Sequence, residues 1–138
     1  MTIRTVRASD LPTVAALIRE LTPDLADAEA TARLETISTN KDHRIWIFER
    51  HGRIIGVLHA FKRPALEKPI EVVVQSMVVD AAHRDTGIGR ALLVEVERWA
   101  RETGHCSIAL HTREAASFYE RIGYTRIATP YLMRKILN

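Results

Sequence analysis

The stretch RDTGIGRALL, Arg84 to Leu93, sets two glycines two residues apart, behind an arginine and just ahead of a helical pattern. Glycine is a poor opener for a helix unless bare backbone is needed there. A strand-to-helix loop with successive unobstructed N–H groups forms a nest at the positive end of a helix dipole, and such a nest binds phosphate or pyrophosphate. Gly87 and Gly89 would admit the ligand, and Arg84 and Arg90 would add positive charge. A Walker loop is excluded because no Gly-Lys-Ser/Thr follows, and a dinucleotide fingerprint because Leu92 stands where its third small residue belongs. The same pattern also serves as a plain tight connection with two turn glycines.

Other residue types with chemical potential carry less. Cys106 is the single cysteine, so no disulfide can form within the chain; beside His105 on a strand it reads as a small buried side chain rather than a nucleophile. Apart from His111, the histidines have no metal-ligand spacing and no metal is expected. Asp24, Asp27 and Glu29 form an acidic group around the first two helical patterns, suited to attracting a cation or to a solvated helix start. Trp46 and Trp99 are expected in the core.

These residues must be positioned by a single domain, 1–138, large enough to bury a core without covalent staples. Twenty Lys and Arg against 17 Asp and Glu give +3, scattered along the chain, which points away from nucleic acid and suits a small anionic ligand. No apolar run is long enough to cross a bilayer and the amino terminus lacks a signal-peptide pattern, so a cytoplasmic, membrane-free protein is expected. TIRTVR alternates as a strand, Ser9-Asp10 offers a helix cap before a 3.6-residue apolar pattern, and 27–38 reads as a second helix. RIWIFER and RIIGVLHAF read as a hairpin about His51-Gly52, and IEVVVQSMVVD as a central strand. A helix follows from about 88 to 103, then the strand CSIALH, a helix over 114–122, and one or two closing strands from Tyr124. The order β-α-α-β-β-β-α-β-α-β describes an α/β or α+β domain around a mixed sheet.

Arg-x-x-Gly-x-Gly after MVVD and before a helix resembles the acyl-coenzyme A pyrophosphate loop of the GNAT family of N-acetyltransferases. REAASFYERIGY resembles that family's later Ala-x-x-Phe-Tyr-x-x-x-Gly-Phe/Tyr segment, and the two motifs stand in the family's order. The resemblance implies a mixed, mostly antiparallel central sheet flanked by about four helices. It implies acetyl-CoA as acyl donor, a primary amine as acceptor, and often a homodimer. By the same resemblance the backbone of Met77, Val78 and Val79 would pair with the pantetheine arm as an added strand. The loop Arg84, Asp85, Thr86, Gly87, Ile88, Gly89 and Arg90 would wrap the pyrophosphate, with Thr112, Ala115 and Phe118 completing the donor site. Tyr119 takes the place of the family tyrosine beside the thioester sulfur and would be the general acid.

Two departures stand out. Gln75 occupies the place of a frequent strand glutamate, and an amide cannot act as a base. Glu71, on the same face by strict alternation, and His111, at the end of the next strand, are the remaining candidates for taking the amine proton. Thr112 replaces a frequent asparagine. A coenzyme A-binding sensor or regulatory domain without turnover is the alternative function, and a small interaction module with turn glycines is a third.

Overall fold

The computed structural model describes residues 1–127 and 131–137. Five strands form one sheet in chain order: β1 (Thr2–Thr5), β2 (His43–Arg50), β3 (Arg53–Arg63), β4 (Glu71–Val79) and β5 (Ile108–Leu110). The first four pair antiparallel and β5 pairs parallel to β4. Four helices flank the sheet: α1 (Leu11–Ile18), α2 (Asp27–Ser38), α3 (Ile88–Glu102) and α4 (Ala116–Arg121). This is the expected mixed, mostly antiparallel architecture. No helix among the described residues is long and apolar enough to cross a membrane.

Local chemistry explains the elements that matter for the site. His51 and Gly52 both adopt positive φ, 52° and 72°, the turn that matches the right-handed twist of a two-residue hairpin between β2 and β3. Each sheet face has its own core. Trp46, Phe48, Leu58 and Val74 meet Ile88, Leu92, Val96 and Trp99 of α3 on one side. Ile45, Ile47, Val57 and Val78 meet Leu11 and Val14 of α1 and Leu34 of α2 on the other. Gly56 on β3 lets α3 sit close, since a Cβ there would lie 3.0 Å from Ile88 Cγ2 and 3.3 Å from Leu92 Cδ1. The amino-terminal end of α3 is thereby pressed against the sheet.

The entry to α1 is fixed by one buried carboxylate. Arg4 donates to both oxygens of Asp10, at 2.7 and 3.0 Å, and the Arg7 N–H donates to Oδ2 at 2.7 Å. The Arg4 guanidinium, helped by the Arg7 N–H and opposed by burial, holds the Asp10 carboxyl below its ordinary range. A carboxyl depressed in the folded state contributes stability above its unfolded pKa of about 3.9, and that contribution is lost as pH falls through the folded value. Asp10→Ala is therefore expected to cost about 2 kcal/mol at neutral pH, by loss of a buried ion pair and a turn cap. Urea unfolding should show the gap between the two proteins narrowing below pH 4.

Three expectations need correction. The described tail, 124–127 and 131–137, forms no strand; Ala128, Thr129 and Pro130 lie outside the described residues. Its alternation satisfies a strand pattern, but a strand forms only against a partner, and the side chains of 131–133 and 136–137 are largely exposed. The strand expected over 106–111 spans only Ile108–Leu110, and Cys106, expected to be buried, is exposed ahead of it. The helix expected over 114–122 is reduced to Ala116–Arg121.

Candidate active site

The site originates in an irregularity of β4. His59 pairs with Ser76 but Ala60 with Val74, so Gln75 is an extra residue without a partner on β3. On the other edge, β4 pairs with β5 only at Val72, Val73 and Val74, opposite Ile108, Ala109 and Leu110. Beyond that point the strands diverge. Residues 75–79 of β4 keep one sheet edge free of strand pairing, and the chain after Leu110 turns away. The gap is a cleft of about 580 Å³, a size suited to a small-molecule ligand.

The floor of the cleft is β4, with Gln75, Ser76, Met77 and Val79. One wall is the loop into α3, with Arg84, Asp85, Gly87, Ile88, Gly89 and Arg90. The opposite wall carries His111, Thr112, Ala115, Phe118 and Tyr119 from the end of β5 and from α4. The structure thus brings together all of the proposed donor-site residues except Val78, whose side chain is buried on the opposite sheet face, and Thr86, whose hydroxyl donates to the His83 carbonyl.

Loop conformation gives the two glycines different reasons. Asp85 and Gly87 have φ of 63° and 84°. Gly87 is the residue before the first turn of α3, left-handed and with nothing within 4 Å of a built Cβ. Its role is conformational: it turns the chain into α3, whose first residues, Ile88, Gly89 and Arg90, have N–H groups with no earlier helical turn to pair with and line the cleft. Gly89 is in the helix, and a Cβ there would approach Met77 Cε at 3.2 Å and Phe118 Cζ at 3.6 Å. It lets the loop close on β4 and α4. Arg84, Arg90, Arg113 and Arg121 line the cleft against one aspartate, Asp85. With the dipole of α3 they make a site for an anion.

Tyr119 is half-buried on the α4 wall. Its ring meets Phe118 edge-on at 5.0 Å and Tyr124 at 5.6 Å. Burial pushes its phenol above the ordinary value, so it remains protonated across the neutral range. His111 also lines the cleft. Glu71 does not. The extra residue at Gln75 breaks the alternation that placed the two on one face, and Glu71 lies at the far end of β4 from the cleft, opposite Arg63 of β3 and just before the β5 pairing begins. Its carboxylate accepts from Arg63 at 2.8 Å and from the Ser107 hydroxyl at 3.2 Å, with Lys68 at 3.6 Å.

Sequence reasoning missed Leu21, Val74, Ser76, His83, Leu110, Arg113 and Arg121 as lining residues. Only the arginines carried a signal, as cations next to a motif already singled out. His43 Nδ1 and His59 Nε2 lie 2.9 Å apart, yet no group of three or more metal-ligating side chains occurs among the described residues. The acidic residues 24, 27 and 29 do not line the cleft; Asp27 faces Arg19 at 3.9 Å and Glu29 faces Arg33 at 3.2 Å.

Comparison with known proteins agrees with this geometry. Residues 41–126 match the acetyltransferase (GNAT) domain family. The chain is 26% identical over 132 residues to a glucosamine 6-phosphate N-acetyltransferase of Trypanosoma brucei brucei, covering 88% of this chain and 87% of that protein. It is 27% identical over 112 residues to a probable N-acetyltransferase, camello, of Xenopus tropicalis, covering 78% of this chain but only 48% of the relative. In structure it resembles an aminoglycoside N-acetyltransferase, AAC(6')-Iy, solved in complex with CoA, with a TM-score of 0.86 at 21% identity over 97% of this chain and 93% of that one. The family match spans the sheet from the start of β2, the glycine loop and the tyrosine helix, and the chain belongs to the GNAT acetyltransferase family.

Proposed function

We propose that this chain transfers the acetyl group of acetyl-CoA directly to a primary amine. The observation that carries the proposal is the end of β4–β5 pairing at Val74, which leaves a cleft lined by the glycine loop with Arg84 and Arg90 on one wall and by Tyr119 with Arg113 and Arg121 on the other. Pantetheine would pair along the free edge of β4 from Met77 to Val79 by strand addition. The pyrophosphate would rest on the N–H groups leading into α3, as CoA does not carry its charge anywhere a neutral groove could hold it. The solved complex of the aminoglycoside enzyme with CoA supports this donor.

In the reaction, the neutral amine attacks the thioester carbonyl carbon and the carbonyl oxygen gains charge. Backbone N–H groups near Met77 would stabilise that oxygen. As the intermediate collapses the C–S bond breaks, its electron pair goes to sulfur, and Tyr119 gives the thiolate its proton. The proton lost by the amine passes to His111 or to water, and Tyr119 is restored from solvent. The products are an N-acetylated amine and free CoA thiol. Glu71, held by Arg63 and Lys68, has no part in this scheme, and Gln75 can orient a group but not deprotonate it. We assign the protein to the cytoplasm, where its exposed Cys106 would persist as a thiol, and expect it to work as a homodimer.

Calorimetric titration with acetyl-CoA, with NADH and ATP as controls, tests the donor assignment. Selective binding of acetyl-CoA supports it. A folded protein that binds none of the three, or binds all alike, overturns it.

A further inference from the structure

The charges around the cleft are one-sided. His83, Arg84 and Arg90 stand on the wall that leads into α3, and His111, Arg113 and Arg121 on the wall that carries Tyr119. Among the described residues the one carboxylate that lines the cleft is Asp85, in the glycine loop between Arg84 and Arg90. Neighbouring carboxylates are engaged elsewhere: Glu20 faces Arg84 at 3.8 Å, Glu120 faces Arg126 at 3.1 Å, and Glu71 is held by Arg63 and Lys68. The floor residue at the β4 bulge is Gln75, an exposed amide. A carboxylate is the group that would both hold an ammonium ion and take its proton, and an amide does neither as an anion. The phosphates of a bound donor answer the arginines and leave the amine with no counter-charge from the protein. Like charge without a counter-charge favours the uncharged form of an amine.

We propose that the acceptor is a weakly basic amine, in the class of an α-amino group rather than a lysine side chain or a polyamine, and that the cleft takes it already uncharged. The inference rests on the transfer reading above and names the substrate class for that same site. At pH 7.5 about one quarter of an amine of pKa about 8 is uncharged, against about one in 800 of an amine of pKa about 10.4. The more basic amine is the better nucleophile once neutral, which returns part of that roughly 200-fold difference. A polyamine is disfavoured further, because its other ammonium groups must enter the same cationic cleft. The chemistry of transfer is unchanged. The neutral nitrogen forms the C–N bond, the C–S bond breaks, and the proton then shed by the acylated nitrogen leaves to His111 or water. What the site lacks is a group to strip an ammonium ion beforehand.

The test is a pH profile of kcat/KM for the amine at saturating acetyl-CoA, run on the wild-type chain. A broad panel of primary amines at pH 7.5, with glycinamide, Nα-acetyl-lysinamide and spermine among them, first supplies the accepted ones. Amines of α-amino basicity are expected to react about tenfold or more faster than the lysine-type amine and spermine. For two accepted amines of different pKa, the acidic limb of the profile should move by the difference between the amines. A limb at the same pH for both marks a group of the protein that deprotonates a bound ammonium ion, and overturns the proposal. So does equal or faster turnover of the lysine-type amine or spermine. Gln75→Glu supplies the missing carboxylate and should raise the rate on the lysine-type amine relative to glycinamide by about tenfold; an unchanged ratio in the folded variant also overturns the proposal. A chain that binds acetyl-CoA and acetylates no amine fails at the transfer reading instead, and this inference falls with it.

Discussion

Tyr119→Phe is expected to lower kcat for amine acetylation by about 10² to 10³, the range for loss of a positioned general acid. The acetyl-CoA dissociation constant should change by less than about threefold. The split follows from where the ring sits. Its ring packs on Phe118 and Tyr124, contacts that phenylalanine preserves, and only the hydroxyl that we propose as the acid is removed. The pH dependence has a fixed sign. Burial raises the phenol pKa, so the acid form is present throughout the neutral range and its alkaline loss falls above the ordinary value of about 10. Steady-state rates with an accepted amine, beside calorimetry on the same preparations, read both quantities. Equal kcat in the two proteins sinks the acid role. A wild type that binds acetyl-CoA yet acetylates none of a broad amine panel would favour a non-catalytic CoA sensor.

Which parts of this site were legible in the sequence follows from which parts depend on local chemistry. The glycine loop, the helix after it and the hairpin at His51-Gly52 are dictated by residues within a few positions of one another. Their types name the backbone conformation directly. The departure of β4 from β5 is a property of pairing. IEVVVQSMVVD reads as an uninterrupted strand, and nothing in it announces that Gln75 has no partner on β3. Strict alternation through that point placed Glu71 beside the chemistry, whereas the structure ties it to Arg63 and Lys68. The tail failed for the same reason: TRIATPYLMRKIL has the composition of strands, but composition cannot supply an edge to pair with. Cys106 was misjudged because the start of β5, two residues later than expected, decides which side of the sheet margin it occupies.

The largest effect on donor binding is expected from Gly87→Val. No atom lies within 4 Å of a Cβ built at Gly87, so the substitution introduces no clash and acts on the backbone alone. At φ 84° a β-branched residue is strained, and the chain relieves the strain by leaving the left-handed region. That movement turns the N–H groups at the start of α3 away from the position of a bound pyrophosphate. Each charge-assisted hydrogen bond is worth about 1.5 to 3 kcal/mol, so losing one or two weakens acetyl-CoA binding by roughly 10². Acetyl-pantetheine has the same thioester and the same strand-pairing arm but no pyrophosphate. Its weaker affinity should stay within about threefold of its wild-type value, because the free edge of β4 is untouched. Raising the salt concentration should weaken acetyl-CoA binding to the wild type and have little effect on acetyl-pantetheine, since only the former carries phosphate charge to meet the arginines that line the cleft. If Gly87→Val weakens both donors equally, the glycine serves the packing of the cleft as a whole and the pyrophosphate lies elsewhere. If it weakens neither, Gly87 is a turn residue only, and the anion site rests on the arginines without the nest.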